Sequence, residues 1–95
     1  MRTVKPLPFP TQLHVQSSKQ IGEAIRAART QSGVTLEMAA LTLGISKQTL
    51  SDIEHGKPTV SLGNAILAAN GLGVSLFALP AQLREQARFT LGKLK

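Results

Sequence analysis

Within residues 17–71 the chain is punctuated four times in the same way: a hydroxyl residue, a run of apolar residues at helical spacing, then a glycine. Ser17, Thr35, Ser46 and Ser61 open the runs, and Gly33, Gly44, Gly56 and Gly71 close them. A serine or threonine just before a helix accepts from an amide of the first turn, and glycine is the usual residue just past the last. The punctuation predicts an all-α bundle of four short helices.

The apolar positions give each helix an inner face. Ile21, Ala24, Ile25 and Ala28 lie at i, i+3, i+4 and i+7 in the first, with Lys19, Glu23 and Arg26 outside. Ser17 and Gln20 fit a capping box at its start. Ala39, Ala40 and Leu43 mark the second helix, Leu50 and Ile53 the third, and Leu62, Ala65, Ile66 and Ala69 the fourth. So few residues separate the second and third helices that they must cross steeply, and Ala39 and Ala40 let them approach closely. Aromatic residues are 3% of the chain against 42% hydrophobic. The core is therefore aliphatic and thin, which favours an oligomer.

Outside this stretch the pattern changes. Residues 1–16 carry Pro6, Pro8 and Pro10, which prevent a helix and favour an extended arm. "QLHVQ" (residues 12–16) alternates enough to be a short strand where it finds a partner. "VSLFALP" (residues 74–80) fits either a strand or a fifth helix opened by Ser75. Pro80 would interrupt such a helix early, which favours the strand. From residue 81 the tail reads as a basic amphipathic helix, with Leu83, Ala87 and Leu91 against Arg84, Arg88 and Lys93. The expected organisation is an arm over 1–16, a domain over 17–80 and a tail over 81–95.

The net charge of +6 favours a polyanionic partner, nucleic acid ahead of an anionic membrane surface. Cysteine is absent, so disulfides and thiolate metal sites are excluded, which suits the cytoplasm. The N-terminus holds no signal-length apolar run. The uncharged stretch over 58–80 has too many polar residues and glycines for a bilayer span. His14 and His55 are far apart and without clustered carboxylates, so neither metal nor other cofactor is expected. No nucleophile–base–acid set, phosphate loop or apolar carboxylate pair points to catalysis.

"GISKQTLSDIEHGK" (residues 44–57) is less ordinary. Ile45, Leu50 and Ile53 supply an apolar stripe, but the remaining positions of the first two turns are Ser46, Lys47, Gln48, Thr49, Ser51 and Asp52. A solvated face is more often built from Glu–Lys pairs. Short and amide side chains at a helix start suit a helix whose N-terminal end enters the DNA major groove.

On these residues the chain resembles the Cro/C1-type (Xre) helix-turn-helix family across residues 21–76. The resemblance is carried by "AIRAART.SG", by Ala40 before "LTLGIS", by "S..TLS.IE.GK" and by a capped helix leading to "LGVS". The spacing of "GKPTVSLGNAILAANGLGVSL" is similar to that of HipB-like antitoxins, which repress their own operon and bind a HipA-type serine/threonine kinase. The resemblance implies a lambda-repressor-like bundle of four to five helices. It places Ser46, Lys47, Gln48, Thr49 and Asp52 at the bases, and Thr35, Ser51, His55 and Lys57 near the phosphates. Lysine can donate to guanine, glutamine can pair with adenine, and aspartate can accept from cytosine. Arg29 and Glu54 match an ion pair joining the first and third helices. Leu36 departs from the family, which often has a phosphate-touching glutamine there, so Thr35 or Lys19 would have to substitute.

The uncharged stretch over 58–80 also marks a dimer seam, since interface centres are depleted of charge. Leu72, Val74, Leu76, Phe77 and Leu79 are the expected contacts, and strands at 75–79 could pair across a two-fold axis. Two reading helices one DNA turn apart, roughly 34 Å, read a palindrome where one reads only a few base pairs. The chain is thus expected to be a homodimeric repressor of double-stranded DNA and a HipB-like antitoxin with a kinase partner. A phage-type or metabolic repressor without a toxin, or an interaction module that has lost DNA binding, stand as alternatives.

Overall fold

The computed structural model describes residues 3–93, so positions 1, 2, 94 and 95 of the expected arm and tail lie outside the described residues. Four helices follow in order: α1 (Ser18–Gln31), α2 (Leu36–Leu43), α3 (Lys47–Glu54) and α4 (Leu62–Gly71). A 3₁₀ turn over Ala81–Leu83 then runs into α5 (Arg84–Gly92). The fold is all-α and lambda-repressor-like, with no strand among the described residues.

Each of the four expected hydroxyl caps is formed. Ser17 Oγ accepts from the Gln20 amide (3.3 Å), Thr35 Oγ1 from Met38 (3.2 Å), Ser46 Oγ from Thr49 (3.0 Å) and Ser61 Oγ from Asn64 (3.0 Å). Gly44 ends α2 in the left-handed conformation, at φ 76°. At the fourth helix the stop is displaced. Gly71 is the last helical residue, and the left-handed glycine is Gly73, at φ 84°.

The core is small side chains around three large ones. Ile25, Leu50 and Ile53 are fully buried, and the space around them is closed by Ala39 and Ala40 from α2, Ala68 and Ala69 from α4, and Val74. A close backbone approach lies at Gly22 of α1, where an added Cβ would run into the carbonyl oxygens of Ile53 and Glu54 at the end of α3. The missing side chain thus sets the distance between α1 and α3.

The inner face of α4 differs from expectation. Ala65 and Ala69 are buried, but with Ala68 rather than with Leu62 and Ile66. Leu62 is 71% exposed and Ile66 is also exposed. At its end α4 lies against α2, where a Cβ on Gly71 would meet the Leu43 side chain, and the buried positions of α4 are taken by Ala65, Ala68 and Ala69. The bulky aliphatic residues are turned outward.

The terminal segments also depart from expectation. Residues 12–16 and 74–80 form neither strand nor helix, because each lacks a neighbouring extended chain within the subunit. Val74, expected at a dimer seam, is 6% exposed and packs in its own core, with its amide donating to the Ala69 carbonyl (2.8 Å). Leu72 is partly buried against the same core. The arm is held by Leu7, whose N–H donates to Thr30 Oγ1 (3.0 Å) and whose carbonyl accepts from Gln31 Nε2 (2.8 Å). Farther along the arm, the His14 carbonyl accepts from Gln20 Nε2 (3.3 Å). The segment over 81–93 stands apart from the body, with every residue but Ala87 exposed. No helix among the described residues is long and apolar enough to cross a membrane.

In an exposed helix, replacing glycine by alanine stabilises by about 1 kcal/mol. At Gly22 the sign should reverse. Gly22→Ala is expected to cost about 1–3 kcal/mol or more through overpacking against backbone that cannot move aside, read as a lowered denaturation midpoint.

Candidate nucleic-acid interface

The α2–turn–α3 unit decides what faces outward. Gly44 and Ile45 reverse the chain within a few residues, and the Ile45 amide returns to the Ala40 carbonyl (3.1 Å). Ser46 then caps α3, and its hydroxyl also donates to Thr49 Oγ1 (2.8 Å). Leu50 and Ile53 lock the inner side of α3 in the core. Their helical spacing leaves Ser46, Lys47 and Gln48 exposed, with Thr49, Ser51 and Asp52 at the half-buried margin. His55 and Lys57 follow, exposed, at the far end, and Thr35 is half-buried at the start of α2.

Internal polar contacts hold this face in order. Lys47 Nζ lies 3.3 Å from Glu37 Oε2 on α2, and Lys57 Nζ lies 3.2 Å from Asp52 Oδ1. Gln48 Nε2 donates to Asp52 Oδ1 (2.8 Å). That amide above all holds the Asp52 carboxyl below the usual carboxylate range; desolvation opposes it, and the Lys57 ammonium and His55 add to the lowering. Asp52 is therefore ionised at neutral pH and acts only as a hydrogen-bond acceptor. His55 Nδ1 donates to the Ser51 carbonyl (2.7 Å), closing the last turn of α3. Exposed ion pairs contribute at most about 1 kcal/mol, so phosphates can replace these carboxylates at little cost.

Behind the face lies a much stronger fixture. Arg29 Nε donates to Glu54 Oε2 at 2.6 Å, and Nη2 to Oε1 at 3.0 Å. A third donor, Nη1, reaches the Val34 carbonyl at 2.8 Å. Both side chains are almost fully enclosed, at 10% and 3% exposure. The forked guanidinium thus ties the end of α1 to the end of α3 and to the turn before α2.

Leu36 packs against the core, so its position offers no polar side chain to a phosphate. The Thr35 hydroxyl is engaged in its cap. Lys19 cannot compensate there. Its backbone lies against Gly56, beside the far end of α3, roughly 20 Å along α1 from the α1–α2 turn. Sequence reasoning overlooked Thr30 and Gln31, which anchor the arm, and no periodic signal marks them. It also passed over Gly22, although an isolated glycine within a helical pattern signals close packing.

Two helices joined by a tight turn, the second with an exposed, polar first turn, define a helix-turn-helix domain. Residues 25–79 match the helix-turn-helix family HTH_3, which is more than half of the chain, and the chain belongs to that family. Two solved structures share the fold. A complex of a HipB point variant with an O2 20mer superposes with a TM-score of 0.66 at 24% identity, covering 74% of this chain and 97% of that one. The HipB–O4 20mer complex gives 0.65 at 24% identity, covering 74% and 99%. No curated protein sequence matches the chain. The protein is a DNA-binding regulator of the Cro/C1 type, with a HipB-like fold.

Removing one member of the buried pair should be worse than removing both. Glu54→Ala leaves the Arg29 charge enclosed and is expected to cost about 3–5 kcal/mol in denaturant unfolding, whereas Arg29→Met with Glu54→Leu should recover most of that loss.

Proposed function

We propose that the protein is a homodimeric repressor that binds a palindromic operator and acts as a HipB-like antitoxin for a HipA-type serine/threonine kinase. The observation that carries the DNA-reading part is the first turn of α3. Ser46, Lys47 and Gln48 face solvent, while Leu50, Ile53 and the Arg29–Glu54 pair fix the direction in which they point. In this reading Lys47, Gln48 and Asp52 contact base edges, with Ser46 and Thr49 beside them. Ser51, His55, Lys57 and Thr35 approach the phosphates, and Arg29 and Glu54 position the reading helix. Both similar structures are complexes of HipB with a 20mer, which supports the same use of the fold.

The dimer is supported by unburied apolar surface. Leu76, Phe77 and Leu79 are exposed in the single subunit, Phe77 at 82%, and they follow directly on the core residue Val74. A two-fold copy would cover them, giving the domain over 17–80 two reading helices and leaving the arm and tail outside. The antitoxin role rests on the resemblance of residues 56–76. Co-expression with a kinase-like gene beside its own, followed by sedimentation, should give a dimer of this chain alone and a larger complex with the kinase. A dimer that never takes up the kinase would favour a repressor of the phage or metabolic kind.

The division between readers and anchors is tested on the DNA upstream of its own gene. Gln48→Ala should cost about 1–3 kcal/mol there and relax preference at one or two base pairs. Lys57→Ala should weaken every duplex alike and lower the slope of affinity against salt by about one phosphate contact. Mutants that behave identically would overturn the assignment.

A further inference from the structure

The arm, the end of α1 and the starts of α2 and α3 enclose a groove of about 490 Å³. Lys5 from the arm, Arg26 and Arg29 from α1 and Lys47 from α3 bring four cations to its lining, against one carboxylate, Glu37. Glu54 already neutralises Arg29, and Glu37 faces Lys47. Lys5 and Arg26 are left without a carboxylate partner among the described residues. The groove therefore presents unspent positive charge beside the first turn of the reading helix, at the place where Leu36 supplies none.

Two features make the arm a fixture there. Leu7 is joined to α1 through both its amide and its carbonyl, the first to a buried threonine. Pro6 and Pro8 flank it and restrict the backbone on either side, so ordering the arm costs little conformational entropy. Lys5, two residues from the anchor, is held at the rim of the groove and is exposed.

We propose that the arm, pinned at Leu7, delivers Lys5 to the DNA phosphates beside the groove that α3 enters, where with Arg26 of α1 it supplies the anchor that Leu36 leaves out. This rests on the DNA-binding reading above. Phosphates attract such cations irrespective of sequence, and each one neutralised makes affinity steeper in salt.

The test uses the full chain and a mixed-sequence duplex of about 30 base pairs, titrated at several salt concentrations. Lys5→Ala, on an exposed arm, should keep its helical spectrum and lower the slope of log affinity against log salt by about 1. Thr30→Val removes the hydroxyl that holds Leu7. It should weaken binding while leaving the slope near that of the parent, because the lysine remains but is no longer pre-positioned. An unchanged slope for Lys5→Ala, with normal binding by the parent, would overturn the arm's role and leave the helix-turn-helix reading standing. Unaltered affinity for Thr30→Val would overturn the part assigned to the anchor. A parent chain that binds no duplex at low salt would remove both readings together.

Discussion

The direction of α3 depends on one buried ion pair and on one absent side chain. Arg29 grips Glu54 in a two-point fork, and Gly22 lets the α3 backbone settle directly on α1 a few turns away. Together they fix α3 at both distance and angle. Burying two charges is costly, and such a pair adds little net stability over well-packed apolar residues. What it adds is direction: a fork has one good geometry, whereas aliphatic side chains tolerate many.

The alanine-rich interior has a second effect. Because Ala39, Ala40, Ala65, Ala68 and Ala69 occupy the inner positions, α2 and α4 approach their neighbours closely and bury little area per residue. The larger apolar groups, Leu62, Ile66, Phe77 and Leu79 among them, stand outside. A subunit built this way saves its strongest hydrophobic surface for contacts beyond itself, which fits the dimer proposed above.

The boundaries of the four helices were legible because they are written in local chemistry. Ser17, Thr35, Ser46 and Ser61 act within their own first turns and need nothing from the rest of the fold. The α4 face departs from its expected one because apolar spacing says nothing about how near the next helix lies, and alanines take the inner positions there. Residues 74–80 are neither strand nor helix in the single subunit, since the strand read there was expected to pair with a second copy. At the candidate site, residue types announced the polar first turn of α3. The Gln48–Asp52–Lys57 chain and the seat of the arm on Thr30 depend on three-dimensional placement, and no sequence period encodes them.

The ion pairs of Lys47 with Glu37 and Lys57 with Asp52 bear on how such a face meets DNA. On the DNA-reading proposal, any duplex first displaces carboxylates already at hand, at about 1 kcal/mol or less each, while a matching one adds base contacts. The lysines of this face are thereby partly neutralised before any duplex arrives. Two acidic side chains, Glu37 on α2 and Asp52 on α3, thus temper the positive charge of the face without blocking it.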